Sequence, residues 1–124
     1  MADFYADSFA FVAYFEGNER YTRILRRKQL VTSAMNMLEV YSTLLRRVSP
    51  AEARELASSI VPLVTSVPTE VALFAGDFRR EMRRRKRDCS YIDAWGYAAA
   101  KNLEIPFLTG DPAFRSVANV EFVR

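Results

Sequence analysis

The sequence predicts an α/β fold with a mainly parallel central sheet, and three observations carry that prediction. Short apolar runs of strand length recur at 3–6, 60–67, 105–109 and 120–123. Amphipathic stretches with helix-start signals fill the intervals, the alternation expected of a parallel sheet. Half of the 124 residues are apolar, enough for the core of one domain. No repeat, low-complexity stretch or linker divides the chain, so residues 1–124 are read as a single domain.

The elements follow in order. Residues 3–6, around Phe4 and Tyr5, read as a buried first strand. Asp7 and Ser8 lead into a short apolar helix over Phe9–Phe15, which Gly17 and Asn18 stop. Glu19–Lys28 reads as a polar helix. Thr32 or Ser33 caps a long helix to about Arg47, with Ala34, Leu38, Tyr41 and Leu45 on one stripe. Ser49-Pro50-Ala51-Glu52 is a start signal: a serine cap, proline at the first helical position and a glutamate closing a capping box. That helix runs to about Ser59. Ile60–Val67 is rich in β-branched residues and reads as the second strand, ended by Pro68. Thr69 caps a helix from Glu70 to about Lys86, with Val71, Phe74, Phe78 and Met82 facing the core. Ser90 caps the next helix, to about Asn102, whose Gly96, Ala98, Ala99 and Ala100 allow close approach to a sheet. Ile105–Thr109 and Val120–Val123 are the last two strands.

Composition removes several kinds of chemistry. There is no histidine, which excludes Ser–His and Cys–His catalysis and nearly every zinc enzyme. The single cysteine, Cys89, excludes an internal disulfide and reads as an incidental thiol in a reducing cytoplasm. No apolar run approaches the roughly 20 residues that span a bilayer, and MADFYADSF lacks the features of a signal peptide. The net charge is only +3, but the basic residues cluster. Arg20, Arg23, Arg26, Arg27 and Lys28 form one group, and Arg46, Arg47 and Arg54 a second. Arg79, Arg80, Arg83, Arg84, Arg85, Lys86 and Arg87 form the densest. Arginine predominates, and its planar fork suits phosphate oxygens. The clusters point to an anionic partner, nucleic acid first, with Arg79, Arg80, Arg83 and Arg84 as candidate RNA contacts. A solvated basic helix face is the alternative.

Four acids then stand out. Asp7 follows the first strand, Asp111 follows the third, and Asp93 lies in the first turn of the helix between. In a parallel sheet those positions share one rim, where ligands bind beyond the strand ends. Glu39 lies mid-helix, beside Met35 at the margin of the apolar stripe. Clustered carboxylates repel unless a cation sits among them, so the quartet points to a Mg2+ or Mn2+ site. Each has an ordinary alternative. Asp7 can cap the helix after it, Asp93 can close a capping box with Ser90, and Asp111 before Pro112 can start a turn.

The order and context of these residues resemble the PIN-domain ribonucleases. Phe4-Tyr5-Ala6-Asp7-Ser8 resembles their opening strand with its Asp-Ser/Thr, and Leu38-Glu39 their helical glutamate. Ser90-Tyr91-Ile92-Asp93-Ala94 resembles their Ser-x-x-Asp-Ala helix, and Thr109-Gly110-Asp111-Pro112-Ala113-Phe114 their Thr-x-Asp-x-x-Phe segment. The likeness runs over nearly the whole chain, whose length is typical of the VapC-type toxins. It implies a three-layer α/β/α fold and a Mg2+-dependent endoribonuclease of a toxin–antitoxin pair. Asp7, Glu39, Asp93 and Asp111 would hold the metal. Ser8 and Thr109 would orient those carboxylates or a bound water. The family often has another acid shortly after the last Asp; here Pro112, Ala113, Phe114 and Arg115 follow. Phe9 also stands where a small or polar residue is common.

The resemblance further implies an RNA substrate, a homodimer, a small antitoxin partner and a cytoplasmic location, with no membrane. Phe11, Phe15 and Tyr21 on the first helices are candidates for those interfaces, or else core. Two other functions are compatible with the composition. A PIN-like module that binds RNA or protein without cleaving would keep the basic patches and fail to hold metal. A phospho-receiver domain would need adjacent acids after the first strand and a lysine near the last, whereas Ser8 follows Asp7 and no lysine lies beyond Lys101.

Overall fold

The computed structural model describes all residues, Met1–Arg124. Its regular elements are β1 (Phe4–Ala6), α1 (Ser8–Phe15), α2 (Glu19–Arg27), β2 (Leu30–Val31), α3 (Ala34–Leu44), α4 (Pro50–Ser58), α5 (Val71–Arg84), α6 (Tyr91–Asn102), β3 (Phe107–Thr109) and β4 (Val120–Phe122). Short 3-10 turns occupy Val61–Leu63 and Pro112–Phe114. The four strands form one sheet in the order β2-β1-β3-β4, and every pairing is parallel.

The strands are short, and helices cover both faces of the sheet. Successive side chains of a strand point to opposite faces. Tyr5 and Phe107, paired in register, go to one side with Val71, Ala75 and Met82 of α5 and the alanines of α6. Ala6 and Leu108 go to the other, with Phe11 of α1, Tyr21 of α2 and Val40 and Leu44 of α3. The result is the expected three-layer α/β/α arrangement.

The chain leaves β1 toward β2 on one side and later enters β3 on the other. Strand order therefore reverses between β1 and β3. In open parallel sheets such a switch point opens a crevice at the carboxyl ends of the strands, where ligands bind. Two glycines let neighbours crowd around it. A Cβ on Gly96 would stand 2.9 Å from the Phe107 ring and 3.3 Å from Asn36 Oδ1. A Cβ on Gly110 would run into the Val123 carbonyl and the Phe9 ring.

Several sequence expectations are corrected. Ile60–Val67 is not a strand: Pro62 lacks the amide a strand needs, and a 3-10 turn takes its place. All that remains of pairing is the bridge between Thr32 and Val64. The actual β2 is the pair Leu30–Val31, too short to show any periodicity. Helix α3 ends at Leu44, and its buried face is Asn36, Val40 and Leu44, whereas Leu38 and Leu45 are exposed. The purely apolar stripe was the wrong one because the true inner face carries a polar residue. On α5, Ala75 is buried and Phe74 exposed, and no side chain caps the helix at Thr69 or Glu70. Phe11 and Tyr21 are fully buried, so neither is available to an interface.

Candidate metal centre

Local capping brings the acids to the β1/β3 crevice. Asp7 extends the ladder of β1, its amide donating to Leu108 O at 3.0 Å, and it is the N-cap of α1, accepting from Ser8 N at 2.8 Å. Asp93 closes a capping box at the start of α6. Its amide donates to Ser90 Oγ and its Oδ2 accepts from Ser90 N, both at 3.0 Å. Asp111 begins the turn Pro112–Phe114 by accepting from Ala113 N at 3.0 Å. Phe114, fully buried, anchors that turn in the aromatic cluster of Phe78, Tyr97 and Phe107. The capping roles are thus the means by which the fold aims these side chains. The amino ends of α1 and α6 both open on the crevice, and their dipoles offset part of the charge repulsion, by roughly 0.3–1 kcal/mol each.

Asp7, Glu39 and Asp93 each present a carboxylate oxygen to the others within 4.8 Å. Glu39, mid-helix on α3, reaches the cluster because its residue lies half-buried at the edge of the α3 core face. Asp111 lines the same cavity, of about 790 Å3, but stands outside that tight trio. So the three acids that meet most closely are not the three placed on one rim by the sequence. Glu39 joins Asp7 and Asp93, while Asp111 faces them from the side.

The electrostatics are those of negative charge without compensation. The chain's two ion pairs are Arg47–Glu16 and Arg85–Glu81, so no acid of the trio has a cationic partner. Burial, reinforced by the charges of Asp93 and Glu39, pushes Asp7 up to about 8, against the lowering effect of Thr109 and Ser8. Burial also lifts Asp93 to about 6, with Asp111 and Glu39 adding to the rise and the Ser90 hydrogen bonds opposing it. The donor set consists of carboxylate oxygens without histidine or cysteine, which fits a hard divalent ion such as Mg2+ or Mn2+.

Asp7 is held by donors on both oxygens. Thr109 Oγ1 donates to Oδ2 at 2.7 Å and accepts from Asp111 N at 3.1 Å. Oδ1 takes Ser8 N and, at 3.5 Å, Asn36 Nδ2. A carboxylate offers about four lone-pair sites, so one site on Oδ2 is left for a ligand. Ser8 differs from its expected role. Its hydroxyl pairs with Asn36, accepting from Nδ2 at 3.0 Å and donating to the Asn36 carbonyl at 3.3 Å, and only its amide touches Asp7.

Asn36 is the residue the sequence did not disclose. Fully buried, it accepts from Tyr5 Oη at 2.6 Å. Tyr5 Oη lies 2.6 Å from Ser33 Oγ, which accepts from Trp95 Nε1 at 3.0 Å. Because the Tyr5 proton goes to Asn36, the Ser33 proton goes to Tyr5. The chain of donors runs one way, from Trp95 to Asp7, and fixes the Asn36 amide with its NH2 toward the carboxylate. A polar residue one turn before Glu39 on an otherwise apolar face was the available signal.

The arginine clusters lie in two separate places. Arg46, Arg47 and Arg124 line the acidic cavity, and Arg124 Nη1 donates to Gly110 O at 3.1 Å. Arg79, Arg80, Arg83 and Arg84 line a separate groove on α5. Arg87 serves the fold, binding the carbonyls of Ala113 and Arg115. Cys89 is buried, and burial pushes its thiol up to about 12, so it is unreactive. No helix is long and apolar enough to cross a membrane.

Comparison with known proteins accords with this geometry. The family model of the PIN domain matches residues 4–120. The Mycobacterium tuberculosis toxin VapC20, described as cleaving the sarcin–ricin loop, superposes with a TM-score of 0.78 at 22% identity, over 98% of each chain. A VapBC-5 toxin–antitoxin structure from the same organism gives 0.71 at 20% identity, over 100% of this chain and 99% of that one. FitAcB from Neisseria gonorrhoeae gives 0.74 at 18%, over 98% and 96%. At these identities the structural likeness establishes the fold. No curated protein matches the sequence.

Proposed function

The chain belongs to the PIN domain family, and on that premise we propose that it is a Mg2+- or Mn2+-dependent endoribonuclease and the toxin of a toxin–antitoxin pair. The observation that carries this reading is the trio Asp7, Glu39 and Asp93, whose oxygens lie within 4.8 Å of one another without a counter-charge. Such a cluster costs folding energy unless a cation is bound, which is the mark of a functional site.

In this reading Asp7, Glu39 and Asp93 would hold the ion, and Asp111 lines the same cavity. The ion supplies Lewis acidity toward the phosphate oxygens. Asp7 acts as the fixed member, because Thr109, Ser8 and Asn36 prevent its rotation. Oδ2 of Asp93 is tied to Ser90 N, which fixes the carboxylate where it lines the cavity, placed to accept a proton from an attacking water. Arg46 and Arg124 hold the phosphates on either side of the cut, which makes binding salt-sensitive. Thr109 donates its hydroxyl proton to Asp7 and offers its lone pair to Asp111 N, so one side chain sets the spacing of both acids.

The antitoxin and homodimer belong to the same reading. Structures similar in fold are toxin–antitoxin complexes. Met35 and Leu38 on α3 and Leu73 and Phe74 on α5 expose large apolar side chains, supplying the surface that protein partners need. The deciding experiment is RNA cleavage by the purified chain with Mg2+, with excess EDTA, and with Asp93→Asn. Cleavage that needs the ion and Asp93 is expected. Equal cleavage in all three sinks the proposal.

A further inference from the structure

We propose that the groove between the second half of α5 and the first turn of α6 is a second RNA-binding site, taking a single-stranded segment with its phosphates on Arg80, Arg83 and Arg84 and a base on Tyr91. The identity of the strand rests on the ribonuclease reading; the groove itself rests on its own observations.

The first is unpaired charge. Arg79, Arg80, Arg83, Arg84, Gly76 and Tyr91 line a groove of about 420 Å3. None of these four arginines is in an ion pair, since the two in the chain join Arg47 to Glu16 and Arg85 to Glu81. Residues 79 and 83, and 80 and 84, are four apart on the helix, where like charges destabilise it. A polyanion relieves both the repulsion and the lack of partners.

The second is an exposed aromatic platform. Tyr91, the first residue of α6, is 77% exposed. The Arg79 guanidinium lies 4.2 Å from its ring centroid and is held there by its Nε, which donates to Cys89 O at 2.8 Å. A cation thus braces one face of the ring, and the remainder is open for stacking. Trp95, one turn later, lines the adjoining apolar recess with Tyr91 and Met35. Guanidinium groups beside exposed aromatic faces are what single-stranded nucleic acid requires, since every base offers a π-face.

The third is continuity. Ser90, Ile92 and Asp93 line the acidic cavity, and Tyr91 between them lines the arginine groove. The first turn of α6 is therefore the ridge separating the two sites. A strand leaving the carboxylates over that ridge meets Tyr91 first and the arginines next. An acidic peptide would satisfy the arginines and leave the aromatic face unused, which favours RNA.

The test uses the full chain in EDTA, where no cleavage occurs, titrated with a short single-stranded oligoadenylate at several salt concentrations. Trp95, the only tryptophan, reports the ligand by quenching, and a labelled oligonucleotide gives the affinity of each variant. The expected result is tight, salt-dependent binding. Arg80→Gln with Arg84→Gln should flatten the salt slope by about 1.4, roughly 0.7 for each phosphate of a single strand that is no longer neutralised. Tyr91→Leu should weaken binding about five- to hundredfold, and Tyr91→Phe should restore it. Circular-dichroism melts establish that each variant is folded. An unchanged slope in the double variant, or poly-glutamate competing as well as the oligonucleotide, overturns the proposal. Binding as expected by a wild-type chain that fails to cleave RNA in Mg2+ would sustain the groove and reject the ribonuclease; cleavage with an unchanged slope would do the reverse.

Discussion

The rim of the β1/β3 crevice and the Arg80, Arg83 and Arg84 cluster of α5 both hold like charges together without ion pairs, and they do so in opposite ways. At the rim the charges are negative, Asp7 is buried, and each acid except Glu39 is pinned by backbone or hydroxyl donors. On α5 the charges are positive, and Arg80, Arg83 and Arg84 are exposed on flexible stems. Burial makes the first cluster costly and geometrically fixed, the setting a small hard ion would suit. Exposure makes the second inexpensive and adaptable, which suits a long polyanion. The same electrostatic deficit would suit different ligands, depending on whether water is present to share it.

The largest effect should come from the rim. Asp7→Asn and Asp93→Asn each leave the side-chain shape intact while removing a charge. Cleavage in Mg2+ should fall about a thousandfold or more, the loss of ~4 kcal/mol of transition-state stabilisation. A loss of only a few-fold in either variant would mean that the cluster does not hold the reactive ion.

Next is the pH dependence of the metal-free chain. Asp7 rises from an ordinary carboxylate value to about 8 in the fold, so the folded state holds its proton more tightly than the unfolded state does. That contribution is fully present below about pH 4, is progressively lost above it, and is gone once pH passes 8. Its size is on the order of several kcal/mol. Thermal melts in EDTA should therefore show a falling midpoint from pH 5 to pH 9. Added Mn2+ should raise the midpoint most at the alkaline end, where the carboxylates are ionised and repelling. Asp7→Asn should flatten the curve and melt higher than the wild type at pH 8. A flat wild-type curve would show that Asp7 is solvated, and the contrast with α5 would collapse.

Asn36 tests whether the rim is built or merely crowded. Asn36→Leu removes the donor to Asp7 and Ser8 and takes the acceptor from the buried Tyr5 hydroxyl, leaving it only Ser33. The stability loss should be about 1–3 kcal/mol by denaturant unfolding. Mn2+ affinity by calorimetry should drop about tenfold to a hundredfold, as for partners that orient metal ligands. Loss of stability without loss of affinity would make Asn36 a core residue only.

Legibility in the sequence followed the range of the forces involved. Ser49-Pro50 and Ser90 with Asp93 were readable because capping is decided within four residues, and the structure has both starts in place, although the Glu52 carboxylate does not close the expected box with the Ser49 amide. Asp7, Thr109 and Asp111 were readable because each sits at a strand end. The edge pair Leu30–Val31 was not, since a two-residue strand owes its existence to Phe4 and Tyr5 beside it. The orientation of α3 was hidden for a related reason. Asn36 faces inward only because Tyr5, Ser8 and Asp7 give it partners, and those hydrogen bonds span roughly thirty residues of sequence. The separation of the α5 arginines from the acidic cavity was equally hidden, because it depends on where the first turn of α6 lies.

The smallest effect belongs to α5 and is the sharpest check on the difference in solvation. Arg80 faces Arg84 four residues on and has no ion pair. Unlike Arg83 and Arg84, it stands before the last turn, so the helix dipole does not reward it. Arg80→Gln should therefore stabilise the free chain by about 0.2–0.5 kcal/mol at low salt. Because the charges are exposed, the gain should vanish by 1 M salt, where the screening length is about 3 Å. The gain from Asp7→Asn at pH 8 should survive the same salt, since buried charges are screened far less. If salt erased both gains equally, the acids would be as open to water as the arginines, and the hard-ion assignment would lose its physical basis.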